Sequence, residues 1–224
     1  GTVPIDVNSY SGGDTVIVLG NTRNLARSGF LFSGWNTASD GSGTAYAAGS
    51  SLTMGVADLS LYAQWAPITY AITYEGNGST GGTAPVDTNV YEQGEAVTVL
   101  SNSGLFVQDG YSFVGWNTAA DGTGTSYAPG VTFAIGAANV TLFAAWSPNT
   151  YTITYDGNTH TSGTAPSGTA ATVGSSVTVA LAGDLARSGF LFSGWNTASD
   201  GSGTAYAAGS PLTMGVADIV LHAA

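Results

Sequence analysis

Gly34-Trp35-Asn36-Thr37 returns as Gly115-Trp116-Asn117-Thr118 and again as Gly194-Trp195-Asn196-Thr197, at spacings of 81 and 79 residues. Each occurrence runs into a close copy of Asp-Gly-x-Gly-Thr-x-Tyr, at Asp40 to Tyr46, Asp121 to Tyr127 and Asp200 to Tyr206. Two copies carry a second tryptophan thirty residues after the first, Trp65 and Trp146. Self-similarity at a fixed period means that one supersecondary unit has been laid end to end. The chain therefore reads as a tandem array of one module of about eighty residues.

Working outward from the Gly-Trp centre, residues 25 to 58 and 185 to 218 are the same at every position except Ser51 against Pro211. Copies this close are expected to do the same job, which suits a spacer better than a single catalytic centre. Thr2-Val3-Pro4 aligns with Thr83-Ala84-Pro85, so the first copy has no counterpart of the opening segment Tyr70 to Tyr74. The expected modules are residues 1–66, lacking the first strand, 67–147, and 148–224, lacking the final tryptophan. Ala66-Pro67-Ile68-Thr69 and Ser147-Pro148-Asn149-Thr150 are the links. Proline in so short a link restricts bending, and semi-rigid beads are expected.

The middle copy gives the local plan. In Tyr70-Ala71-Ile72-Thr73-Tyr74 large apolar residues alternate with small or polar ones, as in a half-buried strand. A glycine-rich turn follows at Glu75 to Gly78, then a strand around Ala96 to Leu100. Leu105 to Gly110 is the place where a short helical turn is expected, with Gly110 as its stop. Tyr111 to Trp116 reads as a strand and Asp121-Gly122 as a turn. The closing strand is Val140 to Trp146, with Val140, Leu142, Ala144 and Trp146 on one face.

Composition narrows the function classes. The chain has three basic residues, Arg23, Arg27 and Arg187, no lysine, and a net charge of −11. Nothing in it could neutralise phosphates, so a nucleic-acid partner is not expected. With 43% hydrophobic residues it can bury cores and does not read as disordered. The absence of cysteine removes disulfides and thiolate chemistry, and the absence of lysine removes Lys–Asn isopeptide staples. No apolar run reaches 18 residues, so no membrane span is expected within these residues, and a signal peptide or anchor would lie outside them.

At each motif, candidate chemistry competes with packing. The repeated tryptophans could stack sugar rings, but two large aromatics at fixed positions of a small module read more simply as its core. Asn36 to Gly41 and its copies suggest a calcium loop, yet the third and twelfth positions from Asn36 are Ala38 and Ala47, so the template fails. No metal site and no cofactor are expected. His160 and His222 have no counterparts in the other copies, and no Gly-x-Ser-x-Gly elbow occurs, so no catalytic residue is assigned and an enzyme is not expected. Asn77-Gly78-Ser79 and Asn139-Val140-Thr141 are glycosylation sequons of low specificity. Tyr62, Phe143 and His222, on the outer face of the closing strand, are the candidate contact residues. An unpaired edge in the first copy would invite strand addition from another chain.

Three elements together carry a family resemblance: an opening strand ending in Tyr155-Asp156-Gly157-Asn158, the centre Phe30 to Thr37, and the closing Leu61-Tyr62-Ala63-Gln64-Trp65. They resemble the Listeria–Bacteroides repeat family, whose best-known members are the internalin B-repeats. That resemblance implies a mainly β, α+β module, β-grasp-like, with a small sheet and at most one short helix. It also implies long exported surface proteins, extracellular or attached to the cell wall, and no catalytic residues to carry over. Leu221-His222 departs from Leu61-Tyr62 in the third copy. The function expected is a structural stalk or spacer of a cell-surface protein or adhesin. Its partners are the neighbouring modules of the same chain, and the alternative is an adhesion module contacting a host or cell-surface glycan or protein.

Overall fold

The computed structural model describes residues 1–224, and every regular element in them is a β-strand. The chain divides into two compact units, one of residues 1–73, 87–98 and 132–140, the other of 74–86, 99–131 and 141–224. The division runs through the middle copy.

The second unit holds the third copy, whose sheet has the order Thr169–Thr172, Thr150–Asp156, Ile219–Ala223, Trp195–Asn196, Ala205–Tyr206. Its central pair, the opening and closing strands, is parallel, with Ile153 beside Ile219 and Asp156 beside His222. The flanking pairs are antiparallel. Alternation along the opening strand turns Ile153 and Tyr155 inward, where they join Val179, Leu185, Trp195, Leu212, Met214 and Leu221 in one core. A separate antiparallel pair, Ser176–Thr178 with Pro211–Thr213, carries Leu212 into that core. In the middle copy the strands Ser126–Tyr127, Tyr111–Asn117, Val140–Pro148 and Ile72–Glu75 follow the same order.

The first unit holds the first copy, with Thr15–Ile17 against Ser51–Thr53 and a sheet in the order Ala45–Tyr46, Phe30–Asn36, Tyr62–Pro67. Its core is smaller, Val18, Trp35 and Leu52 with a rim of half-buried side chains. Ala96–Thr98 pairs with Thr132–Ala134, and Thr69–Tyr70 with Tyr91–Glu92, in the same unit.

The segment expected to turn helically, Leu105 to Gly110, does not. Leu105 sits at φ 55°, which no α-helix tolerates, and the Asn102 side chain takes both main-chain groups of Phe106. Its Oδ1 accepts from the Phe106 N–H and its Nδ2 donates to the Phe106 carbonyl, each at 2.8 Å. Those are groups a helix would need for its own ladder. Val107 instead bridges to Gly81, and Phe106 is buried within 6.4 Å of the Trp116 ring. Asn21 grips Leu25 in the same way in the first copy.

The expected short links are held by regular pairing. Pro67 and Pro148 are the last residues of their strands, paired with Phe30 and Tyr111, and one residue later a new strand begins. That intervening residue is itself tied down, the Ile68 N–H to the Gly29 carbonyl and the Asn149 N–H to the Gly110 carbonyl, both at 2.8 Å.

The glycine before each core tryptophan is required by geometry. Gly34, Gly115 and Gly194 lie at φ 138°, 140° and 144°, at the point where the first two strands slip register against the closing strand. A Cβ at Gly115 would fall 2.8 Å from the Tyr127 carbonyl oxygen. Gly115→Ala is therefore expected to cost about 1–3 kcal/mol in backbone strain alone, before the overlap is counted, read as a lowered midpoint in thermal or urea unfolding. At the turn after the opening strand the third copy carries the opposite fault: Thr159 is held at φ 63°, where the middle copy has Gly78 at φ 86°. A β-branched residue there is strained. Thr159→Gly is expected to stabilise the chain by up to about 1 kcal/mol, measured by the same unfolding curves, despite the added freedom of the unfolded glycine.

Candidate functional site

The motif Gly-Trp-Asn-Thr builds a core and a loop in one stroke. The tryptophans Trp35, Trp116 and Trp195 are buried, and each indole Nε1 donates to a main-chain carbonyl, of Leu19, Leu100 and Ala180 respectively. Phe32, Phe113 and Phe192 meet them edge to face at 5.2, 5.1 and 5.2 Å. Buried indoles with their N–H groups spent are packing elements and offer no face to a sugar. The second tryptophans, Trp65 and Trp146, are half-buried against Phe32 and Phe113.

The next residue is the buried polar one. Asn36, Asn117 and Asn196 have lost nearly all contact with solvent. Asn36 Nδ2 donates to the carbonyls of Gly41 and Gly43, and its Oδ1 accepts from the Ala38 N–H at 2.9 Å. Thr37 Oγ1 accepts from the Thr44 N–H. Asp40 Oδ1 is taken by the N–H and hydroxyl of Ser42. These hydrogen bonds, the Ser42 hydroxyl first, hold the Asp40 carboxyl below the ordinary carboxylate range, and Asp121 and Asp200 are shifted the same way by Thr123 and Ser202. The Asp-Gly-x-Gly-Thr loop is thus closed on itself, and no group of three or more His, Asp or Glu side chains is arranged to hold a metal ion.

Tyr62, Phe143 and His222 occupy one register position, opposite Asn36, Asn117 and Asn196. The structure keeps each on its own sheet and does not gather them into one site. Tyr62 is 46% exposed, while Phe143 and His222 are half-buried. His222 Nδ1 lies 3.7 Å from Asp156 Oδ2, its neighbour across the parallel pair. Both sequon asparagines take part in the fold: Asn77 Nδ2 donates to the carbonyls of Ala120 and Ala144, and Asn139 Oδ1 accepts from the Ala71 N–H.

A groove of about 370 Å³ opens in the first copy, lined by Val16, Val18, Trp35, Leu52, Met54 and Leu61 among others, on the side where the third copy packs its opening strand.

The Listeria-Bacteroides repeat domain matches residues 1–64, 70–145 and 151–224. The chain belongs to this repeat family. Among curated relatives it is 40% identical over 199 residues to a protein of Evansella cellulosilytica named "Putative Gly-rich membrane protein", covering 87% of this chain and 22% of that protein. It is 37% identical over 166 residues to a "Putative membrane protein" of the same organism, covering 74% of this chain and 24% of the relative. The repeat chain thus spans under a quarter of the length of these relatives. No solved structure matches. No helix of the chain is long and apolar enough to cross a membrane.

Proposed function

We propose that these repeats are a non-catalytic spacer in an exported protein, holding another part of that protein away from the cell surface, outside the cell and attached to its envelope. The observation that carries this is the construction of the links. A strand that ends on Pro67 or Pro148 and resumes after one hydrogen-bonded residue has little freedom to bend, which is what a spacer requires. Near-identity of residues 25–58 and 185–218 supports it further, because a spacer lengthens by duplication without needing new chemistry. The relatives' names, which place them at a membrane, agree with a surface location.

Each module, on this reading, is residues 1–66, 67–147 or 148–224, with neighbouring modules as its first partners. A β-grasp-like description is supported by the parallel pairing of opening and closing strands at the middle of the third sheet. The segment that a helix would fill in that description is here a chain of turns.

A second reading, adhesion through the outer face of the closing strand, is favoured by the exposure of Tyr62 at 46%. On a glycan array the whole chain would then bind a defined set of sugars and lose them on Tyr62→Ala. Failure of the unaltered chain to bind any sugar counts against it. For the spacer, small-angle scattering on chains carrying three and six copies is expected to give a maximum dimension that grows nearly in proportion to copy number. A dimension that stays put as copies are added would overturn the proposal.

A further inference from the structure

The opening and closing strands of a copy lie side by side and run the same way, and this decides how the copy meets a pull on its ends. In the third copy Ile153, Thr154, Tyr155 and Asp156 stand beside Ile219, Val220, Leu221 and His222. The middle copy repeats the arrangement. Where both of its strands begin, the Val140 N–H donates to the Ala71 carbonyl, and toward their ends the Trp146 indole donates to the carbonyls of Gly76 and Asn77. The chain enters a copy at the start of the opening strand and leaves at the finish of the closing strand. With the two parallel, a pull on entry and exit drives them past each other, so the bonds between them are strained together. An antiparallel pair would bring entry and exit to one end and would part bond by bond.

Side chains extend the pair beyond its main-chain ladder at both ends, in both copies. Just before the closing strand, Asn139 Oδ1 accepts from the Ala71 N–H at 2.9 Å, and Asp218 Oδ1 from the Thr152 N–H at 2.7 Å. Just after the opening strand, Asn77 Nδ2 donates to the Ala144 carbonyl at 3.0 Å, and Asn158 Nδ2 to the Ala223 carbonyl at 2.9 Å. Both of these asparagines sit at φ 45°, a left-handed conformation that asparagine adopts more readily than most residues. The pair is also held from its outer sides. In the third sheet Thr169–Thr172 flanks the opening strand and Trp195–Asn196 the closing one, while Ile153 and Leu221 are fully buried in one core. Asn149 alone separates the closing strand of the middle copy from the opening strand of the third. A pull therefore passes from pair to pair and bypasses the loops between the other strands.

We infer that the repeats bear tension: each parallel pair, with a side-chain clip at either end, is a shear latch that keeps its copy folded when the chain is pulled lengthwise. The inference rests on the spacer reading for the source of the pull, since a spacer fixed at one end is stretched whenever the part it holds is tugged. Scattering tests that reading and force tests this one, so either can fail alone.

The test is single-molecule force spectroscopy on the 224-residue chain, which has no cysteine and so takes handles at chosen sites. Thr150, His160 and Ala224 are exposed. Handles on Thr150→Cys and Ala224→Cys load the third pair lengthwise, and handles on His160→Cys and Ala224→Cys peel it from its far end. At one constant force the lengthwise pull is expected to leave the copy folded about ten-fold longer or more, the effect of two or more hydrogen bonds parting together instead of singly. Asp218→Ala, which removes the clip at the entry end, should shorten the lengthwise lifetime about five-fold and leave the peeling lifetime unchanged, because peeling crosses its barrier with that end still closed. Equal lifetimes in the two geometries would overturn the proposal without recourse to any change in the latch itself. An equal shortening in both by Asp218→Ala, or none in either, would overturn it as well, since a contact that only stabilises the fold does not distinguish the direction of pulling.

Discussion

In every copy the indole that follows the Gly of the central motif reaches back 15 or 16 residues and donates its N–H to a main-chain carbonyl. This hydrogen bond fixes the distance between the centre of the sheet and the short strand that ends just before that carbonyl. An indole buried without it would carry a heavy penalty, so the contact and the burial stand or fall together. Around it the other parts take their places: a phenylalanine edge-on to the ring, a glycine without Cβ where the strand bulges, and an asparagine behind it that closes the adjoining loop. The motif is a structural kernel, and its residues have little left over for ligand chemistry.

What that kernel does not supply is the far side of the core. In the third copy the opening strand provides it, adding Ile153 and Tyr155 and a tyrosine hydroxyl that satisfies a buried N–H. In the first copy the fully buried set is Val18, Trp35 and Leu52. A repeat of this size has no surplus of apolar contact, so each inward side chain of a strand counts.

The strands themselves were largely legible. Period-2 alternation placed Ile72–Glu75, Ala96–Thr98, Tyr111–Asn117 and Val140–Pro148 within a residue or two, because a half-buried strand writes its faces directly into the sequence. The helical turn expected at Leu105 to Gly110 failed for a reason invisible to periodicity, the grip of one asparagine side chain on the amide of Phe106. The residues of the short links are also strand termini, with one residue between the strands they end and begin. Of the candidate contacts, the shared register of Tyr62, Phe143 and His222 could be inferred from alignment, but their unequal exposure could not, because it depends on neighbours outside the closing strand.

By itself the sequence determined the period and the succession of strands along a module, since the repeats stand in plain view and a strand's alternation is written within a few residues. Tertiary structure decided the rest, and one stretch makes the reason plain. Ile153 of the opening strand lies beside Ile219 in a parallel pair and joins Trp195 in one core, a placement that no window of local sequence holds. A β-strand satisfies its main chain through another strand far away in sequence, so its existence is decided by a partner that no local reading contains.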